Sequence, residues 1–342
     1  KSSDQIEFSL GWGATGLIGT LGLKFSNFAI QNLFNPDSYR IVPQGEGQTF
    51  SINARTNGVY YTSAQVSFLE PWLGGKRPNS LSTSIFFASQ TGYSDRYYQA
   101  YQNLYNTYYS YYAYSGNSNY LQQLQESEAD PNKYLRTLGV SLGYGKRLSW
   151  PDDYFSFYGE ISYQLYMMKD WPYMILTDGN SHNLALNFRL MRSSIDNPIY
   201  TRRGSQFTLG LKITPPYSLI RGTTDAQYAQ MSATEKYNLL EYHKWSFSGK
   251  VFTPLTPDSK LVLMARADFG YLGHYNKNVK SPFESFYMGG DGMSSYSSYS
   301  TEYISMRGYQ SGSLTPYDPA TGRNMGYVYN KFTMELRYPI AL

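Results

Sequence analysis

Cysteine is absent from the 342 residues, which removes thiol nucleophiles, thiolate metal sites and disulfides together. Charge is scarce: Asp, Glu, Lys and Arg make up 16% of the chain, against about a quarter in an ordinary globular protein. The surplus is +4, too small and too dispersed to form a surface for nucleic acid. Histidine occurs only at His182, His243 and His274, with no spacing that gathers a metal ion. No glycine-rich phosphate cradle follows a strand, and no His sits among carboxylates near one strand end as acyl-transfer chemistry requires. No catalytic group, cofactor or metal is expected. Long apolar runs are missing too. No stretch approaches about 18 apolar residues, so no transmembrane helix is expected.

What is abundant is tyrosine, 37 residues, within an aromatic content of 18%. The apolar residues recur at every second position. Leu17, Leu21, Leu23 and Phe25 alternate with Thr20, Lys24 and Ser26; Leu138, Val140, Leu142 and Tyr144 alternate with Thr137, Gly139, Ser141 and Gly143. Phe155 to Leu165, Leu184 to Leu190, Phe207 to Ile213, Trp245 to Val251 and Leu261 to Phe269 repeat the pattern. A period of two puts one face in an apolar medium and the other in a polar one. The second face carries Glu160, Arg189, Lys212, Lys250, Arg266 and Asp268, but a soluble sandwich also alternates, so the connections decide. Short turns at 150–153 and 256–259 interleave with long polar segments at 93–134, 218–241 and 272–329. Short turns at one end and long loops at the other characterise outer-membrane barrels. The expected fold is all-β, a transmembrane antiparallel β-barrel with about twelve strands in one domain spanning 1–342.

The segment 272–329 is too long for an ordinary connection. It contains Gly289, Gly290, a Ser/Tyr-rich run and then Met306-Arg307-Gly308-Tyr309, which reads as a single cation carried on a glycine-hinged loop. The stretch Tyr97 to Tyr120 is dense in tyrosine and suits either partner binding or a self-packed loop. After Pro339-Ile340-Ala341-Leu342 no terminal aromatic strand follows. The parent polypeptide is therefore expected to continue past Leu342 and to begin before Lys1.

Several of these residues resemble one family, that of BamA, the central subunit of the β-barrel assembly machinery. Gly289-Gly290 followed by Met306-Arg307-Gly308-Tyr309 is similar to the family's sixth-loop signature, and Glu335-Leu336-Arg337-Tyr338-Pro339 to the strand behind it. Phe68-Leu69-Glu70-Pro71-Trp72-Leu73 with Ser80-Leu81 resembles an early turn and fifth strand, and Gly16 to Asn27 the second strand. The Tyr-rich loops resemble members from Bacteroidota.

The resemblance implies that the long loop folds into the lumen and that Arg307 contacts an acidic residue on the inner wall. Alternation places Phe332, Met334, Leu336 and Tyr338 on the lipid face, so Glu335 points inward as the expected partner. Losing such a pair would cost about 2–4 kcal/mol in a partly dry lumen. It also implies a catalyst of membrane insertion rather than a chemical enzyme, one that inserts outer-membrane proteins by strand pairing at a lateral seam, with Gln5, Ile6, Glu7, Phe8, Ser9 and Leu10 of the first strand as the template. Implied partners are unfolded outer-membrane proteins, accessory lipoproteins or surface-exposed subunits, and lipid and lipopolysaccharide. The parent would carry periplasmic POTRA repeats, about sixteen strands in all, and sit as an integral protein of the outer membrane. A two-partner secretion or translocation-assembly transporter and, outside the family, a passive porin are the alternatives.

Overall fold

The computed structural model describes residues 4–13, 16–58, 60–75, 78–93, 129–171, 174–290, 302–319 and 323–340. Its frame is one twelve-stranded antiparallel sheet. The strands are β1 (Gln5–Gly13), β2 (Gly16–Phe28), β3 (Gln48–Thr56), β4 (Tyr61–Glu70), β5 (Asn79–Tyr93), β6 (Ala129–Arg147), β7 (Phe155–Lys169), β8 (Gly179–Ser193), β9 (Gly204–Ile213), β10 (His243–Pro254), β11 (Val262–Gly273) and β16 (Val328–Arg337). Each pairs with its neighbour in sequence, except that β16 follows β11. Between those two lie four short strands, β12 (Phe286–Met288), β13 (Glu302–Ile304), β14 (Tyr317–Asp318) and β15 (Arg323–Asn324). Among the described residues β1 and β16 are the two edges of the sheet.

Alternation along the strands becomes an inside and an outside. On β16, Phe332 is 67% and Met334 74% exposed, while Tyr329, Lys331 and Thr333 between them are half-buried. Ile85 and Phe87, Leu138 to Tyr144, Ile161 and Tyr163, and Leu184 to Phe188 carry this apolar band around the outer face. Exposed apolar surface on that scale belongs in lipid. The register keeps the faces matched, since Trp245 lies opposite Tyr271 and Phe247 opposite Phe269, and Ala267 lies opposite Phe332. Among the described residues no helix is long and apolar enough to cross a membrane.

From β5 onward the expected asymmetry of the connections holds except that 170–178 is no longer than 194–203 at the opposite end, and it inverts before β5. One end has 148–154, 194–203 and 255–261, the other 94–128, 170–178, 214–242 and 274–327. Between β2 and β3, however, the turn end carries the long 29–47 segment, folded over Phe28, which stacks on Phe50 at 5.2 Å. The Tyr-rich stretch 97–120 lies outside the described residues. The 214–242 segment holds three short helices, α1 (Tyr217–Arg221), α2 (Asp225–Gln230) and α3 (Ala233–Lys236). The last two start with capping boxes, Thr224 with Gln227 and Ser232 with Glu235, a pattern that satisfies otherwise orphaned N–H groups. The main core lies at this long-segment end. Trp171, Met174 and Leu176, Leu240 and Tyr242, and Phe283 and Phe286 pack against Leu135, Tyr166, Met168 and Leu272 of the wall.

Candidate functional site

The site is the inner wall of β7 to β11 and β16 together with the segment folded against it. Chain entering from β11 turns inward at 281–286. The ring of Phe283 stacks on Tyr166 of β7 at 4.7 Å, and Phe286 meets Tyr329 of β16 edge-on at 4.7 Å. Gly270 makes room for that pair, because a Cβ there would strike the rings of Tyr329 and Phe286. Backbone pairing then knits the segment to itself. β12 runs parallel to β13, and Phe286 bridges Gly326 while Gly290 bridges Met306. Gly289 and Gly290 have φ of 131° and 82°, the left-handed region that side chains resist. A Cβ on Gly289 would run into the carbonyl of Gln310, and one on Gly290 into the hydroxyl of Tyr303. The glycine pair is thus needed at a close chain crossing, where the Tyr303 hydroxyl donates to the Gly289 carbonyl.

Between the two phenylalanines stands Glu284, only 7% exposed. Three adjacent strands supply its partners. Lys212 of β9 donates to Oε1 at 3.0 Å, and Lys244 of β10 lies 3.6 Å from Oε2. Asn183 of β8 reaches Oε1 at 3.4 Å, and the Tyr242 hydroxyl, just before β10, donates to it at 2.9 Å. Lys244 also donates to the Glu284 backbone carbonyl at 3.0 Å, pairs with Glu302 of β13 at 2.9 Å and sits over the Phe286 ring. One ammonium therefore holds both arms of the inserted segment. A further tie comes from Lys331, which donates to the Ser305 carbonyl at 2.7 Å. A buried carboxylate is tolerable only when so compensated. Burial pushes the Glu284 carboxyl up, but Lys212 and Lys244, with the bonds donated by Lys212 and Tyr242, outweigh it and hold the group below its ordinary value. Beyond the segment the wall stays polar. Glu160 accepts from Tyr158 at 2.9 Å and from Asn187 at 3.1 Å.

The expected pair of Arg307 with Glu335 is not formed. Glu335 is engaged by Arg337, two residues along the same face of β16, at 2.9 Å. Arg307 is exposed and has no ion-pair partner among the described residues. The reason is depth. The segment ties to β16 at Lys331, and Glu335 lies four residues further towards the turn end, roughly 13 Å along a strand rising about 3.3 Å per residue. Met306, Gly308 and Tyr309 stand with Arg307 at this partly exposed tip. Sequence reading missed Glu284. Its signal was present: an acid between Phe283 and Phe286 has no reason to be flanked by rings unless it is buried and paired, and inward Lys212 and Lys244 were the available cations. Gln5 to Leu10 lie in β1 and pair with β2 from Lys24 to Gly19. Their other side is unpaired among the described residues, and Ile6, Phe8 and Leu10 project 75%, 68% and 59% exposed. Among the described residues no three His, Cys, Asp or Glu side chains gather as metal ligands would.

Comparison with known proteins agrees with this architecture. No curated protein matches the sequence. Among solved structures, BamA from Haemophilus ducreyi lacking POTRA domains 1–3 superposes with a TM-score of 0.60 at 17% identity, covering 98% of this chain. That likeness is one of fold, a BamA-type barrel, and the chain spans 53% of the length of that structure. The model of the Omp85 superfamily domain matches residues 44–342, most of the sheet and the whole inserted segment, and the chain belongs to the Omp85 superfamily.

Proposed function

We propose that this chain is the barrel of an outer-membrane protein assembly factor, the central subunit of a β-barrel assembly machinery that inserts clients by strand pairing. The observation that carries the reading is the occupied lumen: Glu284 and Glu302 tie the inserted segment to Lys212 and Lys244, an arrangement opposed to free diffusion through a pore. The template is β1, whose backbone groups cannot stay unpaired in hydrocarbon and so favour an incoming strand. Gln5, Ile6, Glu7, Phe8, Ser9 and Leu10 would pair with an unfolded outer-membrane protein, with Ile6, Phe8 and Leu10 already facing the apolar side. The parent would bear POTRA repeats and the strands that complete about sixteen, reside in the outer membrane, and work with accessory lipoproteins or surface-exposed subunits and with lipid and lipopolysaccharide. The match at superfamily level supports equally a related secretion or translocation-assembly transporter with a narrower client set.

The test uses the full-length parent in liposomes with its co-purifying subunits. A urea-unfolded outer-membrane protein is added and its protease-resistant fraction followed. Faster folding, lost when Ser9→Pro disrupts the β1 edge, supports assembly. A narrow client range among many substrates points to the transporter. Large steady ion currents without any acceleration would overturn both.

A further inference from the structure

The 29–47 segment between β2 and β3 lies on the lipid side of the wall. Residues directly opposite one another on paired strands share a face. The register sets Leu23 against Ile52 and Phe25 against Phe50, then Ile52 against Val66 and Phe50 against Phe68. Leu21 and Val66 are exposed on that face, part of the apolar outer band. A register shift follows Phe25, and Phe28 returns to the same face, stacking on Phe50 at 5.2 Å and meeting Phe68 edge-on at 6.1 Å. Yet Phe25 and Phe28 are only 8% and 7% exposed, as the segment closes over the end of the row: Phe28 bridges Gln44, and the Ala29 N–H donates to the Pro43 carbonyl at 3.0 Å. Just beyond, the same face turns polar. Gln48 accepts from the Ile30 N–H and donates to Glu46 and Glu70. The segment therefore sits where the apolar band ends.

Its construction suits that level. Two 3-10 turns, Ile30–Asn32 and Pro36–Ser38, are fastened together. The Gln44 N–H donates to the Ser38 carbonyl at 3.2 Å, the Asn32 amide to the Gln44 carbonyl at 2.9 Å and the Tyr39 hydroxyl to the Leu33 carbonyl at 2.6 Å. Backbone groups paired internally need little water, the condition for residence at a membrane boundary. From this fastened frame Ile30, Leu33, Phe34 and Ile41 project outward, Phe34 at 92% and Ile41 at 75% exposure. Asp37, Arg40 and Glu46 are the only charges between 29 and 47, too few and too mixed to select a charged partner. The next turn at this end bears exposed Trp72, and the others bear Trp150, Tyr154 and Tyr200, the aromatic make-up of a membrane–water boundary. We propose that 29–47 is an interfacial anchor. Leu33, Phe34 and Ile41 seat among the phospholipid acyl chains of the leaflet at the turn end, with the charged residues among the headgroups. The inference rests on the barrel lying in a membrane and not on the assembly role.

The test uses the full-length parent in liposomes of phosphatidylethanolamine and phosphatidylglycerol. This chain has no cysteine, so Phe34→Cys and Ile41→Cys, in a parent with any cysteines elsewhere replaced, each carry a single nitroxide at an exposed position. Collision with oxygen, which partitions into lipid, is compared with collision with a water-soluble nickel chelate. Ile161→Cys, exposed on the outer face of β7, gives the lipid value, and Asp153→Cys, in a short turn, the aqueous one. Heat-modifiable mobility on gels shows that each labelled barrel is folded. Labels at 34 and 41 are expected to lose the nickel access seen at 153 and to keep the oxygen access seen at 161. Nickel access equal to that at 153, at either position, overturns the proposal. So does shielding from both reagents, which would place a protein partner on the segment instead of lipid.

Discussion

Glu284 decides at the level of single residues whether the inserted segment stays down. Replacing it by Gln leaves Lys212 and Lys244 facing an uncharged amide, and the segment should lose about 2–4 kcal/mol of docking free energy, short of the full buried-pair value because the Lys212 side chain is still 24% exposed. Amide hydrogen exchange over 283–288 and 302–306 reads this directly as faster opening. The same residue sets a pH dependence. Its folded-state pKa is depressed below the ordinary 4.5, so the contribution is complete above 4.5 and is lost as pH falls through the lowered value. Exchange over 283–288 should therefore be equally protected at pH 7 and pH 5, with release confined to stronger acid. Glu335→Ala, by contrast, removes an exposed pair with Arg337 worth less than about 1 kcal/mol, and exchange across the segment should not change. The site was only half legible from the chain. In sequence Gly289 and Gly290 read as a hinge, and they stand instead at a close chain crossing. The pairing could not be read, because it depends on how far along β16 the segment reaches, and alternation gives a residue's face but not its depth.

Among elements, the outcome is better determined by sequence, since strand faces follow from period two and nothing else. Phe332, Met334 and Leu336 were assigned outward and are outward, as are Ile161 and Tyr163. The 29–47 segment escaped because its fold depends on tertiary contacts, such as the Gln48 side chain accepting from Ile30 N at 2.7 Å, which no local pattern encodes. The helices of 214–242 carried a readable sign in their capping boxes, hidden inside a stretch read as a long polar loop. Contact between β11 and β12 rests on a missing side chain. Gly270→Ala should push Phe286 off Tyr329, cost about 1–3 kcal/mol by overpacking, and raise exchange at 286–288 while leaving the β10–β11 amides near 262–266 protected.

For the whole molecule, the inserted segment separates a gate from a channel. Replacing 282–325 by a short Gly/Ser linker should convert the low, flickering conductance expected of the intact barrel into large steady currents in planar bilayers. Equal currents before and after would mean that the segment does not obstruct the lumen.

The socket for Glu284 also imposes an order in time. Asn183, Lys212 and Lys244 come from three consecutive strands, β8, β9 and β10, and none of them alone can compensate a carboxylate withdrawn from water. The segment can be seated only after those strands have zipped, since contacts of long sequence separation wait on the chain closure that brings them together. Seating therefore follows the pairing of β8, β9 and β10, and a barrel stalled with any of the three strands unpaired would carry its segment loose, a mark by which a half-built copy differs from a finished one.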